Sequence, residues 1–198
     1  MNDAEIIKQI LGGNKDSFRF LVERYQEMIF RTCMGFVHNR EDAEDLTQEV
    51  FINAYRSLSG FKGEASFATW IYRIAVNASL NRVRKPAVPY VLQRIGHLFL
   101  GENEREWDLP DFDADDPESQ IIRQEHADWI RNALDSLPGK QRTAIVLSRY
   151  EDLPQKRIAE IMGTTEGAVE SLLQRAKANL RKKLSSYPKK NKNQRRKK

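Results

Sequence analysis

The sequence predicts an all-α chain: two small helical domains joined by an acidic flexible linker. Three observations carry that expectation. Apolar residues recur at three- and four-residue steps through most of the chain, no strand-like alternation of useful length appears, and charge falls in blocks. Among 198 residues, 33 Lys and Arg stand against 28 Asp and Glu, a formal net charge of +5. Residues 1–60 carry −3, 61–85 carry +4, 86–118 carry −7, 119–184 carry +4 and 185–198 carry +7. A chain of this length suits one large domain or two small ones. Cys33 is the single cysteine, so neither a disulfide framework nor a cysteine-based zinc site is expected. His38, His97 and His126 have no ligand-like spacing, and no metal or cofactor is expected. The N-terminus is acidic and lacks a long apolar region, unlike a signal peptide. The apolar stretch Val88 to Leu100 is broken by Gln93, Arg94 and His97 and is too short to span a bilayer. A cytoplasmic protein is expected.

Residues 1–86 read as four consecutive helices. Asp3 is expected to cap a short helix through Leu11, which Gly12-Gly13-Asn14 ends. Phe18, Leu21, Val22, Tyr25, Met28, Ile29 and Cys33 place a buried stripe on a second helix. Asn39 followed by Asp42 is a capping arrangement for a third, and Glu41, Asp42 and Glu44 suit its positive start. That helix reaches about Leu58, where Ser59-Gly60 stops it; a fourth spans about Phe67 to Arg84 and is closed by Pro86. Residues 87–118 are punctuated by proline and glycine and read as a tether. Over 119–184 the helical pattern returns, as Ile121 to Leu134, Gly139 to Arg149 and two helices around Gly163. Residues 185–198 are low-complexity and basic, too polar to pack a core.

The sharpest local signal is Leu153 to Leu184. Ile158, Ala159, Ile161 and Met162 form one side of a short helix, Gly163 allows a tight turn, and Thr164 or Thr165 caps the next helix. Ala168, Val169, Leu172, Leu173, Ala176 and Leu180 continue at helical spacing. The pattern is that of a helix-turn-helix, whose second helix enters the major groove with its first turns. Candidate base readers are Thr165, Glu166, Glu170, Ser171, Gln174 and Arg175, while Lys177, Arg181, Lys182 and Lys183 suit phosphates. A plain helical hairpin with a basic face fits the same spacing.

Two more faces stand out in the first domain. On the third helix, Leu46, Val50, Ala54 and Leu58 point inward, and Asp45, Gln48, Glu49, Ile52 and Arg56 lie together on another side. An acidic cluster with an exposed Ile suits docking of a partner helix, though an ordinary solvated face has the same pattern. On the fourth helix, Phe67, Trp70, Ile71, Ile74, Ala75 and Ala78 form the apolar side, and Thr69, Arg73, Asn77, Asn81 and Lys85 a polar stripe. The preceding loop, Phe61, Lys62, Gly63, Glu64, Ala65 and Ser66, can present backbone groups and an aromatic ring to an unstacked base. Basic groups, Asn residues and nearby aromatics together form a nucleic-acid signature.

The runs AEDLTQEVFINAY, FKGEASFATWIYRIAVNASLNRVRK and LPGKQRTAIVLSRYEDLPQKRIAEIMGTTEGAVESLLQRAKANLRKKL, in this order, resemble the compact extracytoplasmic-function (ECF) group of bacterial sigma-70 factors, which have only sigma domains 2 and 4. The resemblance covers about residues 5–85 and 119–184. It implies an RNA polymerase sigma factor that binds the core enzyme, directs initiation at promoter DNA and has no active site of its own. It implies that Asp45, Gln48, Glu49 and Ile52 meet the clamp helices of the β′ subunit. The loop Phe61 to Ser66 with Arg73, Asn77 and Asn81 would recognise and melt the −10 element, and Thr165 to Lys177 would read the −35 element in a domain that also docks on the β flap. Members of this group are commonly held inactive by an anti-sigma factor, often membrane-anchored. Arg157 departs from the group, which usually has an acid there, and Glu170 and Leu172 stand where Lys or Arg is frequent.

Two other classes fit less well. A stand-alone helix-turn-helix repressor or activator would leave the face of Asp45, Gln48 and Glu49 without a task. An enzyme would need fixed acids or nucleophiles, and Asp115-Asp116 sit in the linker where nothing fixes their geometry.

Overall fold

The computed structural model describes residues 1–84 and 127–185. The expected linker over 87–118, the tail beyond Ser185, Lys85, and the start of the helix expected from Ile121 lie outside the described residues.

The first domain is four helices around one core. α1 spans Asp3–Leu11, and its cap is Asn2, not Asp3. Asn2 is extended, so its side chain can turn back to accept the Glu5 N–H at 2.9 Å, while Glu5 accepts the Asn2 N–H at 2.9 Å. Asp3 is already helical and reaches outward to Arg24 and to the Tyr25 hydroxyl, which donates to it at 2.5 Å. Burial, reinforced by Asp3, pushes the Tyr25 phenol up to about 12.

A single 3-10 turn, Lys15–Ser17, leads into α2, Phe18–Val37. α3 spans Arg40–Ser57 and opens on Asn39, whose side chain accepts the Asp42 N–H at 2.9 Å. Removing that acceptor strands an N–H at the helix start. Asn39→Ala should therefore lower the unfolding free energy by about 1 kcal/mol in urea titration; no loss would mean that water caps this helix equally well. After the turn Leu58–Gly60 and a short loop, α4 spans Phe67–Arg84. Ile6, Leu21, Ile29, Leu46, Val50, Leu58 and Ile71 meet in the core, with every one essentially inaccessible to water. Cys33 is sealed among them, and burial pushes its thiol up to about 11, so it has the character of a small apolar residue.

The second domain has α5 over 127–135, α6 over Gly139–Arg149, α7 over Gln155–Met162 and α8 over Glu166–Ser185. Gly163 closes α7 in the left-handed region at φ 61°, where a side chain would be strained, and Thr164 N–H returns to Ala159 O at 3.0 Å. Ile158, Ala159 and Ile161 of α7 meet Val169, Leu173 and Ala176 of α8 over α6.

The two domains pack against each other. Phe36, Tyr72 and Val76 of the first domain join Leu134, Leu137, Ile145 and Val146 of the second in a shared apolar cluster. α2 packs on α6 and α4 on α7. The approach is closest at Gly35, in α2, where an added Cβ would stand 2.8 Å from Val146 Cγ1 and 3.2 Å from the Tyr150 ring. Beside this seam the Glu151 side chain is only 1% exposed; its Oε2 accepts from Tyr72 at 3.0 Å and from Arg31 at 3.4 Å.

Burial raises the Glu151 carboxyl above the ordinary 4.5, and Tyr72 and Arg31 draw it back only in part. A carboxyl so raised keeps its proton in the folded chain where the unfolded chain has lost it. Its contribution to stability is therefore complete below the ordinary value and lost as pH rises through the raised one. Glu151→Gln should abolish that decline in urea unfolding as pH rises above the ordinary 4.5. An identical decline in the variant would assign it to another group.

Candidate nucleic-acid interface

On α3 the inward stripe holds Leu46, Val50, Ala54 and Leu58, all buried. Asp45, Gln48, Glu49, Ile52 and Arg56 are exposed on the other side, and Ile52 leaves half of its surface in water. A lone exposed Ile is ordinary, but an Ile framed by two acids and an amide on a rigid helix offers an apolar knob inside a negative rim. Arg82, on α4, donates to Asp42 at 2.8 Å; that bond, with the nearby charges of Asp42, Asp45 and Glu49, holds its guanidinium above the ordinary value against the effect of partial burial. This arginine thus belongs partly to the acidic face.

The loop before α4 divides into a fixed and a free part. Phe61 is half-buried, with its ring 5.9 Å from Phe67 and 5.2 Å from Trp70. It anchors the loop and is not presented as a bare stacking surface, because these rings bury more area together than either would alone in water. Lys62, Gly63 and Glu64 are exposed, and Gly63 turns at φ 74°, which favours glycine. Ala4, Ile7, Lys8 and Leu11 of α1 face Phe61, Lys62 and Gly63 across an open groove of about 310 Å³. Ser66 is committed to α4: its Oγ accepts the Thr69 N–H at 3.2 Å and lies 3.0 Å from Thr69 Oγ1. Thr69 is consequently buried and does not belong to the exposed polar stripe expected for this helix. Arg73, Asn77 and Asn81 do lie exposed along α4 at four-residue steps. Lys85, the expected end of that stripe, lies outside the described residues.

The second domain presents its candidate readers as one face. Thr165 Oγ1 accepts the Ala168 N–H at 3.2 Å, so of the two threonines Thr165 is the cap. Val169, Leu173 and Ala176 are buried, leaving Thr165, Glu166, Glu170, Ser171, Gln174, Arg175 and Lys177 exposed. Ser171 spends its hydroxyl proton on Gly167 O at 3.0 Å, and Gln174 donates to Glu170 at 3.4 Å. Arg157 pairs with Glu160 at 2.5 Å within α7, so its charge is partly neutralised inside the domain.

Two stretches of the chain match known families, in chain order. The model of sigma-70 region 2 matches residues 21–87, and that of sigma-70 region 4 matches residues 127–180. The ECF RNA polymerase sigma factor SigW of Bacillus subtilis is 33% identical over 178 residues, spanning 90% of this chain and 94% of the relative. The chain belongs to the ECF sigma factors. It is also 33% identical to the RNA polymerase sigma-H factor of Pseudomonas aeruginosa over 186 residues, covering 92% and 93% of the two chains. Among solved structures, CnrH in complex with the cytosolic domain of CnrY aligns at TM-score 0.62 and 23% identity, covering 92% of this chain and 97% of that one. The sigma factor RpoE in complex with the anti-sigma factor NepR from Bartonella quintana aligns at 0.54 and 20% identity, covering 85% and 97%. At those identities the likeness carries the fold.

Sigma factors are DNA-binding transcription initiation factors, not enzymes. Sequence reasoning missed Arg82 beside the exposed faces, and it placed Arg73 on the exposed stripe without the contact that this side chain makes. Arg82 is tied to the acidic face of α3, which its position on α4 alone does not reveal. Arg73 is hydrogen-bonded to the second domain, from Nη2 to Glu160 O at 2.7 Å and from Nε to Ile161 O at 3.2 Å. Among the described residues, no helix is long and apolar enough to cross a membrane.

Proposed function

We propose that this ECF sigma factor is a dissociable promoter-specificity subunit of a cytoplasmic RNA polymerase, divided as residues 1–86 for core binding and the −10 element, 87–118 as linker, 119–184 for the −35 element and 185–198 as a basic tail. The exposed face of Asp45, Gln48, Glu49 and Ile52 carries this reading most directly, because a repressor has no use for it. In this account it docks on the β′ clamp helices. Lys62, Gly63, Glu64, Arg73, Asn77 and Asn81 line the track of the −10 strand, with Phe61 and Ser66 as its supports.

The groove between α1 and this loop is large enough for a single base turned out of the stack. Capturing such a base repays the few kcal/mol that unstacking costs and so holds the duplex open. The face of α8, Thr165 to Lys177, reads the −35 element in the major groove, with a second contact from this domain to the β flap. The acidic linker follows the basic path of the exiting RNA, and the basic tail adds salt-sensitive phosphate contacts. An anti-sigma factor is the expected regulator; the solved structures similar to this chain include a sigma factor in complex with an anti-sigma factor.

Electrophoretic mobility shift on promoter duplex tests the reading. The free chain should bind weakly and without strong sequence preference, and addition of core polymerase should create tight promoter-specific binding. Tight, sequence-specific binding by the free chain as a dimer would instead identify a conventional repressor or activator.

A further inference from the structure

The face that α8 offers to DNA begins with acceptors and turns to donors further on. Glu166 is the first residue of the helix and is exposed, and its side chain makes no hydrogen bond or ion pair among the described residues. Glu170, one turn on, differs: its Oε1 accepts from the Gln174 amide at 3.4 Å. Ser171 lies exposed beside it and donates its hydroxyl proton to Gly167 O at 3.0 Å, so its remaining lone pairs can only accept. Between Glu166 and Ser171 stands Gly167, where a Cβ would meet nothing within 4 Å. No side chain at that position screens the Glu166 carboxylate or holds the backbone off a surface that approaches it. Gln174 and Arg175, which can donate to a base, follow about two turns later.

An acid in a first turn has an ordinary explanation, because it faces the positive end of the helix. In a DNA-reading helix that explanation is incomplete. Phosphates repel the same charge, so the carboxylate weakens every complex in which it gains no donor of its own. Glu170 has part of its need met by Gln174, whereas both Glu166 oxygens stay open.

A carboxylate offers only acceptors and therefore selects base edges that carry donors. In the major groove these are the N4 amine of cytosine and the N6 amine of adenine. Their surroundings differ. Adenine N6 lies between two acceptors, its own N7 and O4 of the paired thymine, which repel a carboxylate from either side. Cytosine N4 has an acceptor on one side only, O6 of the paired guanine. Guanine and thymine present acceptors without a donor, and would leave the carboxylate desolvated and unpaired.

We infer that Glu166 is a specificity-determining residue of the second domain: it accepts from the N4 amine of one cytosine in the −35 element and rejects guanine and thymine there. This assignment rests on the −35 reading of α8 proposed above and adds the base that its leading residue selects. Discrimination comes as much from exclusion as from attraction, since a wrong base strands a charge. Arg175 suits a guanine, so the two ends of the face read different base pairs of one element.

The test gives core polymerase and the full chain a promoter library randomised over the −35 segment, with each transcript barcoded to report its promoter. At one position wild type should favour cytosine over guanine or thymine by about tenfold. Glu166→Ala should reduce that ratio below about threefold. Glu166→Gln, whose amide both donates and accepts, should raise adenine to the level of cytosine there. Preferences at the other positions and helical circular dichroism should hold in both variants, because the side chain is exposed. Glu170→Ala should leave the cytosine preference in place. The assignment is overturned if the position that Glu166→Ala relaxes does not prefer cytosine, or if Glu170→Ala relaxes it instead. An even change over all sequences would also overturn it, since a charge that only supports the helix start or repels phosphates acts without regard to base. If wild type enriches no −35 element at all, the function proposed above fails and takes the assignment with it. An element enriched by wild type and unchanged in Glu166→Ala removes the assignment alone.

Discussion

Gln48→Ala combined with Glu49→Ala is expected to weaken binding to core polymerase by about ten- to a hundredfold, with helical circular dichroism unchanged. Both side chains are exposed on α3 and lie outside the apolar stripe of Leu46, Val50, Ala54 and Leu58. Truncating them to alanine keeps helix propensity and touches no core contact. What is lost is the Glu49 charge and the Gln48 amide beside Ile52, which in the proposed docking help to fix the register of a partner helix. Glu49 also adds to the field at Arg82, but the Arg82–Asp42 bond remains to tie α3 to α4. Binding is read by fluorescence titration of labelled protein with core enzyme. Unchanged affinity would exclude this face from the interface, and lost helicity would make the two residues structural.

Gln174→Ala with Arg175→Ala is expected to lower affinity for the preferred −35 sequence by about ten- to a hundredfold and to flatten the preference among variants of it. Gln and Arg are the side chains best able to grip a base edge with two hydrogen bonds, at about 1–3 kcal/mol of discrimination for each such pair. Both are exposed on α8, one turn beyond Glu170. Lys177→Ala should act differently. A phosphate contact positions without specifying, so binding falls by a similar factor on every sequence and the salt dependence becomes shallower. If both substitutions lowered affinity evenly over all −35 variants, the base readers would have to lie elsewhere on the helix. The acidic Glu166 and Glu170 in this face make that comparison informative, because they reduce the non-specific attraction against which base reading is measured.

Much of the fold is legible in the residues. The helix bounds Phe67–Arg84 and Gly139–Arg149 follow from patterning and turn chemistry alone, Asn39 acts as the cap its position implies, and of the two threonines that could cap α8 the structure selects Thr165. Asp3 illustrates a limit of such reasoning: Asn2 and Asp3 are both good caps, and the choice fell to the residue whose backbone is extended. Ser66 and Thr69 show another, since a polar side chain on a polar stripe can be consumed by the helix start itself.

The docking of the domains was the least legible part. Tyr72, Val76 and Leu80 recur at four-residue steps on α4 beside the more obvious stripe of Ile71 and Ala75, so the helix buries two faces, one in its own domain and one against the other. Gly35 was a second sign. A glycine inside a helix costs about 0.5–1 kcal/mol relative to alanine, and here it admits Val146 and Tyr150. Neither sign names its partner, because contacts across a long linker depend on three-dimensional fit that periodicity does not encode.

The central claim, that two separated faces of one dissociable subunit select promoters for the polymerase, is tested most directly by sequencing the 5′ ends of transcripts made by core enzyme plus this protein on genomic DNA. The account predicts a discrete set of start sites absent with core alone, each preceded by two shared sequence elements at constant spacing, with the upstream one changed or lost in the Gln174→Ala, Arg175→Ala variant. Transcripts no more site-specific than those of core polymerase alone would contradict it.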